Sequence, residues 1–365
     1  MVSGKILAIE LSSYLADQID KFVSRQGLVI GICNGFQVLV RTGLLPFGRL
    51  GKMQATLTNN DSGHFECRWI NLKMGKNNQK TIGIITFEKK DNRVKGSIGS
   101  SRIRGQWIWQ NWHEAEEFMI GKKYETVIFQ KVYWLMFANA FKGIKIFDIC
   151  DPDHLDGQPV IEMINLCDAV TTSTQALADY YRQFTTKPIY YIPDRIDLNE
   201  FKFNRKGKHE GRGKKIVWFG YHHNADNIEK TLYYIREKLL ELTIISDQQI
   251  IFGGENRDYQ PKFIKWSWPK CLIDLAKHDF AILPTYLKAD MRQRYKSNNK
   301  DLYCWALGLP IAKEPNDLER LLSPEIRNEE VEKNYQKLKK WDIKYSIEEL
   351  KGVLIDVQKA RKTRK

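Results

Sequence analysis

Short apolar runs alternate with helical patterns along most of the chain. A first series of strand candidates, rich in β-branched and aromatic residues, covers 81–87, 126–129, 144–149, 169–172 and 189–192. A second series covers 216–221, 249–252, 280–283 and 310–312. Helical patterns lie between them, among them 107–118, 160–166, 174–184, 228–240, 272–276 and 300–307. Strands that alternate with helices predict parallel sheets covered on both faces, so the chain is predicted to hold two α/β lobes.

Residues 1–80 have a different pattern. A helical pattern covers 6–23, a short apolar run at 28–33 predicts a buried strand, and a second helical pattern begins near 36. Polar, glycine-containing stretches then predict two linkers. The predicted parts are an N-terminal segment (1–74), a linker (75–80), a first lobe (81–201), a basic linker (202–214), a second lobe (215–322), and C-terminal helices with a basic tail (323–365).

Composition narrows the function classes. The chain has 365 residues and a net charge of +14, which favours anionic partners such as nucleotides, phosphorylated substrates or an acidic membrane surface. A well-solvated lysine-rich surface explains the same charge. No apolar run reaches the length of a membrane span, and no secretory signal is visible. The six cysteines form no CxxC pair, so we expect no metal site, no disulfide framework and a cytoplasmic location.

Cys33 lies between two glycines at a predicted strand-to-helix turn, in the sequence Gly31-Ile-Cys-Asn-Gly35. This is the pattern of a nucleophile elbow, a tight turn that exposes one reactive side chain above a sheet edge. The peptide dipoles of the following helix favour the thiolate form of a cysteine in this position. Cys33 is therefore a candidate nucleophile.

Three separated blocks around this turn, 31–40, 43–46 and 59–69, resemble one family. The segment 3–74 resembles the glutamine amidotransferase subunit of phosphoribosylformylglycinamidine synthase, an enzyme of purine biosynthesis. The resemblance implies that Cys33 attacks the carboxamide of glutamine and releases ammonia.

The same segment lacks groups that this chemistry needs. A cysteine nucleophile of this type requires a His base and an acidic residue that orients it, which the family supplies from a His-Pro-x-Glu segment. No His-Pro dipeptide occurs in the chain, and His64 falls in a different block. We therefore expect a partial segment without glutaminase activity, such as a gene fusion or a join in sequence assembly would produce.

The rest of the chain, about 81–322, resembles GT-B glycosyltransferases, which use nucleotide-activated sugars. The passages that carry the resemblance are 168–177, 191–197, 217–220, 296–300 and 306–310. It implies two facing Rossmann-like, doubly wound domains, with the acceptor held mainly by the first and the sugar nucleotide mainly by the second. It also implies that neither a bound metal nor a cofactor is needed.

Gly220 ends the first strand of the second lobe, at the edge of a parallel sheet where ligands bind. Tyr221 follows it and is a candidate to line the donor cleft. His222 could line the same cleft or be a solvent-exposed loop residue.

A second candidate donor element is the segment that contains Lys296, Asn299 and Lys300 and runs into a predicted helix. A diphosphate there would gain both ammonium charge and helix-end N–H donors. The resemblance implies that Lys300 contacts the donor phosphates and that a Glu three positions later binds the ribose. In this chain that position is Tyr303. A tyrosine hydroxyl cannot bind two ribose hydroxyls at once as a carboxylate can. The alternative for Lys300 is a solvated helix cap.

In the first lobe, the Gly/Ser-rich loop 96–105 is the candidate phosphate or acceptor loop. Gly99 and Ser100 would let the backbone approach a ligand, and Arg102 and Arg104 would supply charge; a plain flexible loop is the alternative. Asp151, at the carboxyl end of a predicted strand, is the candidate general base for an acceptor hydroxyl. The aromatic residues 107, 109, 112, 133 and 134 could stack on sugars or form core.

The sequence therefore favours a glycosyltransferase that moves a sugar from a nucleoside diphosphate sugar to a hydroxyl. Its expected partners are that donor, an unidentified hydroxyl acceptor and a peripheral membrane surface, with no specific nucleic acid. The alternatives are an amidotransferase subunit of purine biosynthesis, or an inactive fragment of one, and a non-enzymatic polyanion binder based on charge alone.

Overall fold

The computed structural model describes residues 2–25, 27–45, 48, 50–51, 81–90, 98–284 and 291–363. The chain divides into two compact units, Met1–Gly75 and Lys76–Lys365. The predicted extended stretch near 65–72, His64, the predicted linker 75–80 and Gly96 lie outside the described residues.

The described part of the first unit is helical. Its helices are Val2–Tyr14, Ala16–Ser24 and Asn34–Arg41. The strand predicted at 28–33 is wrong, because residues 27–32 pair with no strand among the described residues. Leu28, Ile30 and Ile32 are 73–81% exposed, so the apolar run has no sheet to be buried in. A run that is buried in a parallel sheet needs neighbouring strands on both sides to satisfy its backbone.

The second unit contains two separate, wholly parallel sheets, as the pattern predicted. The strands of the first sheet are β1 (Ile82–Thr86), β2 (Ala115–Glu117), β3 (Thr126–Gln130), β4 (Ile144–Ile149), β5 (Ala169–Thr172) and β6 (Ile189–Tyr191), in the order β2-β1-β3-β4-β5-β6. Helical segments connect them: Phe87–Lys90, Gly99–Ser101, the π-helical turn Arg102–Gln106, Trp107–Asn111, Leu135–Ala140, Asp153–Asp156, Val160–Leu166, Gln175–Arg182 and Leu198–Glu200.

The second sheet is also doubly wound. Its strands are β7 (Lys215–Phe219), β8 (Glu241–Ser246), β9 (Lys262–Lys265), β10 (Phe280–Ile282) and β11 (Ile311–Ala312), in the order β11-β10-β7-β8-β9. Its helical segments are His222–Asn224, Asp226–Glu229, Leu232–Glu237, Gly254–Asn256, Lys270–Ala276, Met291–Tyr295 and Asn299–Leu307. The chain leaves β7 toward β8 and later returns to the other side of β7 as β10, so the strand order reverses between β7 and β10.

The C-terminal helices return the chain to the first sheet. They are Pro315–Arg320, Pro324–Leu338, Lys339–Trp341 and Ile343–Thr363. The last helix is tied to the first lobe by two ion pairs, Arg195–Glu349 at 2.6 Å and Arg361–Asp168 at 2.7 Å. Its apolar face joins a core cluster that also contains residues of both sheets, which makes the two lobes one packed unit.

Two predicted elements of this unit are wrong. The helix predicted over 107–118 ends at Asn111, and Ala115–Glu117 forms edge strand β2 because it pairs with β1. The strand predicted at 249–252 is irregular, with Ile251 86% exposed, and the strand beside β7 is instead Glu241–Ser246. In both places pairing with a distant strand decides the structure over local propensity.

None of the described helices is long and apolar enough to cross a bilayer.

Candidate donor-binding crevice

The second sheet reverses its strand order at the carboxyl ends of β7 and β10, and we call the residues around this point the crevice. Gly220 ends β7 with a φ of +155°, a conformation that residues with a side chain rarely adopt. A Cβ at this position would collide with the Nζ of Lys300. The backbone of Gly220 and the ammonium of Lys300 therefore lie against each other at the place where doubly wound sheets bind ligands.

Lys300 is a cation with no carboxylate partner among the residues that the structure describes. Its Nζ lies 5.1 Å from the ring centroid of Trp218 and 5.8 Å from that of Phe219. Burial and the nearby charge of Lys296 lower the pKa of Lys300 to about 8. A bound anion would supply the missing counter-charge.

The first turn of helix Asn299–Leu307 adds further donors. The first backbone N–H groups of a helix have no acceptor inside it, and no side chain caps this one. Before it, the Nζ of Lys296 donates to the Oδ1 of Asn224 at 2.6 Å. Tyr221 remains 42% exposed beside Gly220. The structure thus places Gly220 against Lys300 and ties Lys296 to the same turn, while Tyr221 and Asn299 are the chain neighbours of Gly220 and Lys300.

His222 is fixed in place by a residue that the sequence analysis missed. Asp247, just after β8, accepts hydrogen bonds from the backbone N–H of His222 at 2.9 Å and pairs with its Nδ1 at 2.8 Å. Burial raises the pKa of Asp247, but the hydrogen bonds from His222 outweigh it and hold this pKa below its usual value. The sequence could have indicated this pair only through the topology, because residues that follow the neighbouring strands β7 and β8 lie at the same sheet edge. The sequence analysis placed the second strand at 249–252, so it did not place Asp247 at this edge.

Tyr303 does not reach the crevice. It is 4% exposed, and its hydroxyl accepts a hydrogen bond from Nη2 of Arg102 at 2.8 Å. The guanidinium of Arg102 stacks 3.7 Å from the ring centroid of Trp268. Trp107 and Phe201 complete an aromatic box. These contacts differ from the expectation that Tyr303 faces a ribose and that Arg102 faces a phosphate, because each residue is buried against the other.

Arg104 is also neutralised inside the first lobe. It makes ion pairs with Asp148 at 2.6 Å and with Asp194 at 2.9 Å, and it donates to the carbonyl of Ile192. Burial alone would lower its pKa, but the two carboxylates raise it. Arg104 therefore does not act as a free phosphate ligand, in contrast to the prediction.

Gly99 and Ser100 begin the helical segment that leads to these arginines and remain half-buried. Their contact with a phosphate or an acceptor stays a prediction. Of the predicted aromatic cluster, Trp107 and Trp112 are core residues, whereas Trp134 is 42% exposed.

Asp151 follows β4 at the carboxyl edge of the first sheet. Its Oδ2 lies 2.6 Å from the Nζ of Lys131, which also lies 3.3 Å from Asp153. The side chain of Asp151 is 44% exposed, so it remains accessible, and its role as general base stays a prediction.

Cys33 has the backbone of a nucleophile elbow in the first unit. Its φ is +54° and its ψ is −113°, a strained conformation for a residue with a side chain, and it precedes helix Asn34–Arg41. The thiol is exposed. No described histidine lies in this unit, since its only one, His64, is outside the described residues.

Metal binding has no support in the described part of the chain, where no group of three or more His, Cys, Asp or Glu side chains could hold an ion. The carboxylates of Asp151 and Asp153 both pair with the ammonium of Lys131.

Comparison with known proteins confirms the amidotransferase resemblance of the N-terminal segment. A family model of the CobB/CobQ-like glutamine amidotransferase domain matches residues 1–120. The phosphoribosylformylglycinamidine synthase subunit PurQ of Dehalococcoides mccartyi is 50% identical over 70 residues, 19% of this chain and 28% of that protein. The same subunit of Treponema denticola is 45% identical over 87 residues, 21% of this chain and 32% of that protein. The chain thus spans about a third of the length of these relatives.

Solved structures similar to this chain have low sequence identity to it. TarM matches with a TM-score of 0.45 and 12% identity over 62% of this chain and 54% of TarM. An α,α-trehalose-phosphate synthase (UDP-forming) from Burkholderia vietnamiensis matches with a TM-score of 0.39 and 11% identity over 64% of this chain and 70% of that one. The function of the second unit therefore has to be argued from its own crevice.

Proposed function

We propose that the second unit is a glycosyltransferase that moves a sugar from a nucleoside diphosphate sugar to a hydroxyl acceptor. The observation that carries the proposal is the ammonium of Lys300, set against Gly220 at the strand-order reversal and without a carboxylate partner in the described part of the chain. A diphosphate is the leaving group in such a transfer, and its developing charge needs a cation and N–H donors in place. Lys300 and the start of its helix provide both.

The acceptor side is assigned less directly. Asp151 lies at the carboxyl edge of the first sheet, which is the edge where parallel sheets bind ligands. We propose it as the base that takes the acceptor proton, provided that the acceptor displaces it from Lys131.

Release of nucleoside diphosphate from UDP- and GDP-sugars tests this function. We expect the wild type to release one of them, and Lys300→Met, which keeps side-chain length but not charge, to reduce the rate by roughly 10²-fold or more. Lys359→Gln removes the same charge from an exposed position on the last helix and should leave the rate unchanged. Equal rates for Lys300→Met and wild type, or no release from any sugar nucleotide, would contradict the proposal.

A second candidate function belongs to the first unit. The strained backbone of Cys33 and the match to glutamine amidotransferases favour a glutamine-hydrolysing site. The chain has no His-Pro-x-Glu segment to activate the thiol. We therefore propose that this unit retains the turn of an amidotransferase without its activity.

A further inference from the structure

The turn after β7 carries a histidine whose ring pairs with Asp247 through Nδ1 and packs against the ring of His223, with 3.7 Å between the two ring centroids. Asp247 contacts both the backbone N–H and the Nδ1 of His222, and Ser246 donates to Asp247 at 3.0 Å. Because a carboxylate accepts the proton on Nδ1, the ring orientation is fixed and Nε2 is directed away from the pair. Among the residues that the structure describes, nothing makes a hydrogen bond to this Nε2, and the side chain is 25% exposed.

Both ends of the same short turn contact lysines from the start of helix Asn299–Leu307 and the segment just before it. Lys300 lies against Gly220 at the start of the turn, and Lys296 donates to Asn224 at its end. His222 lies between these two points in the chain. His222 is thus two residues along the same turn from the glycine that the ammonium of Lys300 contacts.

We propose that the Asp247–His222 pair forms a second phosphate subsite next to Lys300, where Nε2 of His222 contacts the distal phosphate of a nucleoside diphosphate. This rests on the proposed function, since it extends the same crevice. Asp247 acts as a positioning residue, because it touches the ring and not the ligand. With a proton on both ring nitrogens, Nδ1–H donates a hydrogen bond to Asp247 and Nε2–H donates one to a phosphate oxygen.

The subsite predicts a preference for two linked phosphates over one. Lys300 and the helix start serve whichever phosphate lies at Gly220, so they contribute to binding of both orthophosphate and pyrophosphate. The imidazole contributes only when a second phosphate is attached. A hydrogen bond between charged partners is worth roughly a tenfold change in affinity or more.

Calorimetric titration with pyrophosphate and orthophosphate tests this without assuming a nucleotide base. His222→Asn keeps an amide N–H near the Nδ1 position, so it keeps the bond to Asp247 but lacks Nε2. We expect it to bind pyrophosphate about tenfold more weakly and orthophosphate within about twofold of wild type. His222→Gln places an amide near Nε2 and should restore part of the loss. Lys359→Gln, at an exposed position on the last helix, is the control and should change neither affinity.

The outcomes separate the subsite from the proposed function. If pyrophosphate binding depends on Lys300 but His222→Asn binds as wild type does, or loses both anions equally with the same melting temperature as wild type, the subsite is overturned and the proposed function stands. If the wild type binds neither pyrophosphate nor any nucleoside diphosphate, and Lys300→Met changes nothing, both are overturned. Loss of pyrophosphate affinity alone, with partial recovery in His222→Gln, supports the subsite.

Discussion

The two lobes of the second unit use their buried cations in different ways. In the first lobe, Arg104 is enclosed by Asp148 and Asp194, and Arg102 lies in an aromatic box against Tyr303. In the second lobe, Lys300 lies at the sheet edge beside Trp218, and no described carboxylate pairs with it. All three residues follow strands of a parallel sheet and looked alike in the sequence. Only the lysine keeps its charge available to a ligand.

The difference shows that a basic residue in a loop is informative only once its counter-charges are known. A buried cation that already has partners stabilises the fold, and its removal leaves carboxylates unpaired. A half-buried cation without a partner destabilises the free protein slightly and gains from binding an anion. Stability and binding should therefore respond in opposite ways when these residues are changed.

The largest effect is expected for Arg104→Ala. It leaves Asp148 and Asp194 buried without their cation, so we expect a loss of about 3–5 kcal/mol in the free energy of unfolding, measured with denaturant. Arg182→Ala, which breaks an exposed ion pair with Asp179, should cost less than about 1 kcal/mol. Equal losses in the two variants would mean that the Arg104 cluster contributes no more than a surface pair.

The next effect is a pH dependence. The pKa of Lys300 in the free protein is about 8, so its charge is lost as pH rises through that value, and a bound diphosphate favours the charged form. We expect affinity for a nucleoside diphosphate to fall roughly tenfold between pH 7 and pH 9, and to change little in Lys300→Met.

The same shift sets the sign for stability. The unfolded chain keeps this proton up to about pH 10.5, the ordinary pKa of lysine. Between about pH 8 and 10.5 the unfolded state therefore binds more protons than the folded one. Stability of the wild type should therefore rise with pH in this window relative to Lys300→Met. A fall in this window would contradict the placement of Lys300.

A smaller effect is expected for Tyr303→Phe. The substitution removes one buried hydrogen bond from Arg102 and keeps the aromatic box, so unfolding should become easier by about 1 kcal/mol, measured by thermal melting. Nucleotide affinity should stay as in the wild type. Weaker nucleotide binding at unchanged stability would instead show that Tyr303 contacts the ribose, as the sequence suggested.

No effect at all is expected for Cys33→Ala in a glutaminase assay. The wild type should release no more ammonia from glutamine than the variant does, because the sequence contains no His-Pro-x-Glu segment to supply the base. Ammonia release that depends on Cys33 would show that the first unit is a working amidotransferase.

Much of the fold could be predicted because the strands of parallel sheets are short, buried apolar runs. The bounds of Ile144–Ile149 and Ala169–Thr172 were predicted to the residue. The run 28–33 has the same composition but lacks neighbouring strands in the described residues, so composition alone misassigned it. The strand predicted at 249–252 forms instead at Glu241–Ser246. Pairing with β7, and not the local pattern, selects that segment.

The candidate site was predictable only where its residues follow strands of one sheet. Gly220 and Lys300 each follow a strand of one sheet, and their meeting follows from the topology. The bond between Arg102 and Tyr303 joins residues 201 positions apart, and no local pattern encodes it. The pairing of His222 with Asp247 likewise depends on knowing which strands are neighbours.

The central claim is that Lys300 is the cation that holds a nucleoside diphosphate in the crevice of the second unit. Calorimetric titration of the wild type, Lys300→Met and Lys359→Gln with UDP and GDP at pH 7 tests it most directly. We predict that one nucleotide binds the wild type and Lys359→Gln with the same affinity and binds Lys300→Met at least about tenfold more weakly. Equal affinity in all three proteins, or binding to none of them, would contradict the account.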